Sequence, residues 1–322
     1  MYNYEVVFKG AFYMKNNNLK GSLILMLTAF LWGIGFVAQN KAAENIPPFT
    51  VNCLRSFISA VFLYGLWLII NRKQPIRVFP KNKAERKTVL TAGLLCGFLL
   101  AVSVNFQQFG IAFYPKGAAV EAHAGFITAL YVIIVPFFSL LIKKKVPAAV
   151  WIAAAVALVG FYLLCLSDGL DGIYLGDLLV LGCAVSFSLH IISVDRFVEP
   201  VGGVRLSMLQ FVVCGILSGI LAICFEIPQL SIEKLIAAAA PVIYLGVVSS
   251  GMGYTLQIIG QRYAEPAVAS IVMSLESVFA ALGGWLISGN SLSASEFSGC
   301  GLVFAAIIIA QLPSFFKKSS KV

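Results

Sequence analysis

Twenty uncharged residues separate Lys20 from Lys41, and stretches of that kind follow one another almost to the end of the chain. A helix needs roughly 20 mostly apolar residues to cross the hydrocarbon of a bilayer. After the first stretch, the sequence predicts spans near 50–71, 88–113, 117–142, 147–167, 174–195, 206–225, 240–263, 266–288 and 296–316. The expectation is an all-α integral membrane protein with ten transmembrane helices and no room for a soluble domain. Only 11% of the residues are charged, against about 25% in an ordinary soluble domain.

A net charge of +9 would suit a nucleic-acid partner, but the basic residues sit in short segments between apolar spans. That placement reads as membrane orientation, because Lys and Arg resist translocation. With the N-terminus inside, the inner segments hold the tail lysines, the run from Arg72 to Lys87, Lys143 to Lys145, Arg196, Arg205, Arg262 and the C-terminal lysines. The outer loops hold only Lys41, Lys116 and Lys234. Both termini are therefore expected on the cytoplasmic side of the cell membrane, with the lipid bilayer as a partner and no nucleic acid.

The ends are tails: a polar stretch over residues 1–18 and a basic one over 317–322. Met14 offers a second start of translation beside Met1, which N-terminal sequencing would decide. The first apolar stretch is too long for a signal-peptide core of about 7–15 residues, so it reads as a retained helix. All seven cysteines fall within spans, without a CxxC spacing. A disulfide framework, a zinc site or another cofactor is not expected.

The chain also echoes itself. From Asn105 to Pro136 it reads as the end of one apolar helix, a Tyr114-Pro115-Lys116 turn and a second apolar helix. At an offset of 150, Gln107 meets Gln257, Gly110 meets Gly260 and Ala119 meets Ala269, while Glu276 takes the place of Phe126. GSLILMLTAFLWGIGFVAQNK from Gly21 matches GDLLVLGCAVSFSLHIISVDR from Gly176 at an offset of 155. Two five-helix repeats follow, over 19–168 and 169–316. Five is odd, so the second copy enters the membrane from the opposite side, and such inverted repeats place a substrate site near mid-membrane where they meet.

These residues carry a resemblance to the EamA-type branch of the drug/metabolite transporter superfamily over nearly the whole chain. Its marks are AFLWGIGFV (Ala29–Val37), LRSF (Leu54–Phe57), AAVEAHAGFITALYVIIVP (Ala118–Pro136), ASIVMSLESVFAALGGWLISGN (Ala269–Asn290) and the last span GCGLVFAAIIIAQL. Ser277 stands where that helix often has proline, and Gly289-Asn290 replaces a frequent Gly-Glu. The resemblance implies a carrier of small metabolites working by alternating access.

Several polar residues inside spans are candidates for the path. Glu276 lies about 15 Å along a helix starting at Pro266, where a carboxylate is costly unless wet, paired or protonated. It reads either as a substrate or proton-coupling group or as a structural glutamate. His123 is a second coupling candidate, since imidazole titrates near physiological pH; Glu121 points about 200° away from it and does not pair with it. Trp32 and Gln39 share a face of the first span, and His190 shares one with Ser186 and Ser193. Asn105, Gln107 and Gln108 in the third span, with Tyr254 and Gln257 in the eighth, supply donors and acceptors. Packing glue between helices is the alternative for each. Ser270, Ser274, Ser277, Ala281 and Gly284 form a small-residue stripe that reads as packing. Arg55, six residues into its span, reads as snorkelling to headgroups.

Transport, with amino acids or related compounds as cargo and export as direction, competes with two other readings: a membrane-embedded enzyme and a receptor or scaffold. An enzyme needs a nucleophile with a base, paired aspartates or metal ligands. No aspartate lies deep in a span, the two histidines stand on separate repeats, and no P-loop pattern points to an ATP-driven pump. Oligomeric state is not legible in these residues.

Overall fold

The computed structural model describes residues 18–73, 77–114, 120–165, 174–288 and 293–316, with the backbone alone described at 18, 121–123, 164–165, 283–288 and 313–316. The described residues form helices and connections with no strand. The helices are α1 (Asn18–Ala43), α2 (Pro48–Ile70), α3 (Lys83–Phe113), α4 (Val120–Ala129), α5 (Tyr131–Leu141) and α6 (Ala148–Cys165). They continue with α7 (Leu175–Val201), α8 (Gly203–Phe225), α9 (Ile232–Tyr244), a π-helical stretch (Leu245–Tyr254) and α10 (Thr255–Gln261). α11 (Pro266–Met273), α12 (Leu275–Ser288) and α13 (Ala294–Phe316) complete the order.

Among the described residues, eight helical segments are long and apolar enough to cross a membrane. Two shorter apolar helices, Ala148–Leu163 and Pro266–Leu282, lie where the fifth and ninth spans are expected. Outward-facing residues such as Val61, Ile69, Ile236 and Phe297 are more than two-thirds exposed, the mark of a surface solvated by lipid rather than water.

Local chemistry fixes the helix ends. Asn82 caps α3, its side chain accepting from the Ala84 N–H at 2.9 Å. α2 starts at Pro48, and its N-cap Pro47 has no side-chain acceptor to offer. Glu226, at the far end of α8, supplies it instead, accepting from Phe49 N (2.9 Å), Thr50 N (2.7 Å) and Thr50 Oγ1 (2.7 Å). Asp177 joins two elements likewise: its carboxylate accepts from the backbone of Tyr174 at the start of α7 and from the Tyr114 hydroxyl at the end of α3. Gly202 divides α7 from α8 at φ 86°, which glycine adopts without strain.

Three expected spans are not single α-helices. The fourth breaks at Leu130, shortly before Pro136 in α5, where Leu130 N donates to Ile127 O and Ile133 N to Leu130 O in the tighter three-residue pattern. The ninth breaks at Ser274; Ser270 and Ser274 donate back to the carbonyls of Ala267 and Ile271, the competing bond that bends helices. The eighth widens into the π stretch between α9 and α10.

The most extensive pairings are α3 with α7, α6 with α13, α2 with α8, α3 with α8 and α1 with α12. Each joins a helix before residue 170 to one after it. Glycines permit the closest of these approaches. A Cβ on Gly97 would fall 2.5 Å from Val213 Cβ, and one on Gly33 2.6 Å from Phe279 Cβ and 2.8 Å from the Glu276 carbonyl. Asn52 ties the interior further, donating to Val104 O and Asn105 Oδ1, both at 2.9 Å, while Asn105 donates to Ser218 Oγ at 2.9 Å.

Candidate functional site

Helices from both parts of the chain enclose a cavity of about 30 Å³. One water needs about 10–15 Å³ on this measure, so the space suits two or three waters, or a ligand fragment of that bulk. α1 contributes Trp32, Phe36 and Gln39, and α2 contributes Arg55. α3 adds Ser103, Val104 and Gln107, and α4 adds Thr128. From the second part come Cys183 and Phe187 on α7, Ser249 and Tyr254 on the π stretch, and Glu276 on α12.

Two of these side chains, the carboxyl of Glu276 and the guanidine of Arg55, are ionisable groups inside the bundle. Glu276 is 4% exposed, and its Oε1 accepts from the Tyr131 hydroxyl at 3.0 Å. Arg55 is 3% exposed and sits about 10 Å along α2 from Pro48. Its Nη1 donates to Gln39 Oε1 at 3.1 Å, and its Nε has no partner. The two lie on one cavity, and the ion pairs within 4 Å among the described residues do not include them. The snorkelling expected of Arg55 is thus overturned: depth along a helix does not fix rotation about it, and this guanidinium faces the interior. An arginine at the centre of a membrane helix costs about 2.5–3.5 kcal/mol on insertion scales, and one hydrogen bond to an amide offsets only part of that.

Aromatic rings form one wall. Trp32 and Tyr254 have centroids 4.7 Å apart, and Trp32 and Phe187 5.7 Å. The Trp32 indole donates to Ser249 O at 3.0 Å, anchoring the wall to the π stretch.

The structure gathers Trp32, Gln39, Gln107, Tyr254 and Glu276 from among the sequence candidates onto the cavity. Gln107 donates to Thr128 Oγ1 at 3.4 Å. Asn105, Gln108, His190 and Gln257 lie off it. Asn105 belongs to the Asn52–Ser218 network, and Gln108 donates to the Gln39 carbonyl at 3.2 Å. His190 Nε2 lies 3.0 Å from Gln210 Oε1, and its ring stacks on the Phe187 ring that lines the cavity. Gln257 donates to Gln261 at 3.0 Å. The side chains of Glu121 and His123 lie outside the described residues. In the small-residue stripe Ser270, Ser274 and Ser277 are buried, with Ser277 donating to the Gly125 carbonyl at 3.0 Å.

Sequence reasoning missed Arg55, Ser103, Thr128, Cys183 and Ser249 as lining residues. For Arg55 a signal existed: Asn52, Arg55 and Ser59 fall at helical spacing on one face of α2, a polar stripe that lipid would not tolerate.

An apolar bundle around a small, charged and aromatic-walled cavity has counterparts among known proteins. An uncharacterized transporter of Archaeoglobus fulgidus is 27% identical over 299 residues, spanning 91% of this chain and 86% of that protein. The uncharacterized inner membrane transporter YedA of Escherichia coli K12 is 22% identical over 289 residues, 88% of each chain. A crystal structure at 20% identity superposes with a TM-score of 0.74, over 92% of this chain and 99% of that one, and shows the fold alone. The family model of EamA-like transporters matches twice, over residues 19–166 and 174–311, each time across one of the two parts that meet at the cavity. On that double match this multi-pass membrane protein belongs to the EamA-like transporter family.

Proposed function

We propose that the chain is a secondary transporter that moves small metabolites, amino acids or related compounds, outward across the cytoplasmic membrane by alternating access. In this reading ten spans form two inverted five-helix repeats, 19–168 and 169–316, with both termini cytoplasmic. The observation that carries it is the cavity itself: a polar, charged space inside an apolar bundle, lined from both family matches. Residues at the repeat offsets border it together. Trp32 and Phe187, 155 apart, and Val104 and Tyr254, 150 apart, all line it. A site held between two quasi-equivalent halves is what rocking of one half against the other requires. Proton coupling, if the carrier uses it, belongs to Glu276 or His123.

The test is counterflow in proteoliposomes against amino acids, polyamines, sugars and aromatic cations, with and without a pH gradient, in vesicles of known protein orientation. Saturable exchange of one class is expected, faster in the outward sense. Glu276→Gln should lower transport while leaving membrane insertion intact. Folded protein that exchanges none of these classes counts against transport. A Glu276→Gln variant that keeps wild-type rates at every pH removes the coupling role.

A further inference from the structure

We propose that the groove between α2 and α8, on the outside of the bundle, binds one acyl chain of a phospholipid whose headgroup phosphate is held by Lys234. The inference is independent of what the central cavity carries.

The groove has a volume of about 360 Å³, against about 30 Å³ for the central cavity. Its wall is apolar, and Thr50, the one hydroxyl residue on it, donates that hydroxyl to Glu226. It lies on the face of α2 away from the central cavity. Cys53 and Phe57 line the groove, while Arg55, two residues from each and so about 200° around the helix, lines the cavity. Gly215 and Gly219 bring α8 against α2, where an added Cβ would fall 3.3 Å from the Phe57 ring and 3.1 Å from Cys53 Sγ respectively. Two glycines four residues apart form a face on which membrane helices pair. Here α2 already occupies that face, so a helix from a second copy finds no glycine surface to pack on. What remains beside the contact is a furrow, along which Ile216, Ile220 and Ile223 of α8 are exposed.

Its position says what fills it. The exposed isoleucines belong to the lipid-facing surface. Water does not occupy an apolar recess, and an empty one forfeits the dispersion contacts of its walls. A hydrocarbon chain restores them. From Gly215 to Ile223 the groove follows α8 for about 12 Å, close to the depth of one leaflet, roughly half of a 30 Å hydrocarbon core. It then passes Ile227 and Leu230, beyond the end of α8 at Phe225. There Lys234 Nζ donates to the Gln229 carbonyl at 3.0 Å, one residue from Leu230. An ammonium past the end of the span, beside the end of an apolar furrow, meets the phosphate of a lipid whose chain lies in that furrow. Glu233, next to Lys234 and also exposed, favours a headgroup that carries a cation as well, as phosphatidylethanolamine does.

The experiment is photolabelling of the full-length protein in liposomes of phosphatidylethanolamine and phosphatidylglycerol, with a phosphatidylethanolamine that bears a diazirine in its acyl chain. Mass spectrometry then maps the adducts. They are expected on Cys53–Phe57 and Gly215–Leu230, several-fold above those on Leu178 and Val185, which are exposed at comparable distances from the start of α7. Gly219→Leu, which adds bulk between Cys53 and Phe57, should remove the enrichment. Lys234→Ala should lower it by about two- to fivefold, the range for losing an exposed ion pair. If Gly219→Leu fails to fold, the wild-type map and Lys234→Ala decide. Adducts spread evenly over the exposed faces would reduce the groove to ordinary bilayer contact and overturn the proposal. Enrichment untouched by Lys234→Ala would overturn the headgroup assignment. Protein that runs as a dimer with the groove unlabelled would give this face to a second copy instead.

Discussion

Replacing Gly33 by alanine tests whether the approach of α1 to α12 sets the position of Glu276. An added Cβ would lie 2.6 Å from Phe279 Cβ, 2.8 Å from Glu276 O and 2.9 Å from Ala280 N. Carbon atoms pack at about 3.5–4.0 Å, so the helices must part by roughly 1 Å. None of the three atoms is the free end of a flexible side chain, which puts the cost near the top of the range of about 1–3 kcal/mol for overpacking. Alanine returns about 1 kcal/mol through its better helix propensity, for a net loss of about 2 kcal/mol. On α2, a methyl added at Gly65 would meet nothing within 4 Å, so Gly65→Ala should gain about 1 kcal/mol. The two variants then differ by about 3 kcal/mol, or about 4–5 °C in midpoint for a chain of 322 residues. Heating both at one rate in the same detergent, followed by intrinsic fluorescence, reads that gap. Equal midpoints would refute the packing argument. In Gly33→Ala the backbone that carries Glu276 should also be displaced, so transport should weaken while Gly65→Ala transports as wild type.

Glu226→Ala removes the acceptor of three hydrogen bonds at the start of α2 and should cost about 3 kcal/mol. Glu226→Gln, which keeps an acceptor, should lose about half as much in the same melting assay. Tyr131→Phe and Glu276→Leu should be non-additive, because each removes one partner of the same hydrogen bond. A coupling energy of about 1 kcal/mol is expected from the four midpoints, and strict additivity would mean that the bond contributes nothing.

Apolar length located the long helices, since that quantity is what lipid imposes. It did not foretell the π stretch, or the breaks at Leu130 and Ser274, where the residue at the break is neither glycine nor proline. At Ser274 the bonds are local ones from serine hydroxyls to the carbonyls of Ala267 and Ile271, which periodicity does not weigh, and the π stretch receives the Trp32 indole on Ser249 O, a contact from a distant part of the chain. Polar residues inside spans were legible as a set. Which of them share a space was not, because rotation about each axis is fixed by packing. Gln107 and Gln257 match at the repeat offset, yet only the first lines the cavity. Arg55 shows the converse, a residue whose charge flagged it while its depth suggested the wrong direction.

The crossing of the two halves has a consequence for how the protein comes into being. The five broadest helix pairings each wait for a partner from the second half, so the first five helices enter the bilayer without a finished interior. Gly33 precedes Phe279, whose Cβ its bare face meets, by most of the chain, and at about 5–20 residues per second the ribosome needs on the order of tens of seconds to supply that partner. Through that interval the nascent half must sit in the membrane with its glycine faces uncovered. Assembly is therefore a late, concerted event, and the burden of shielding an incomplete carrier falls on the insertion machinery rather than on the first half's own fold.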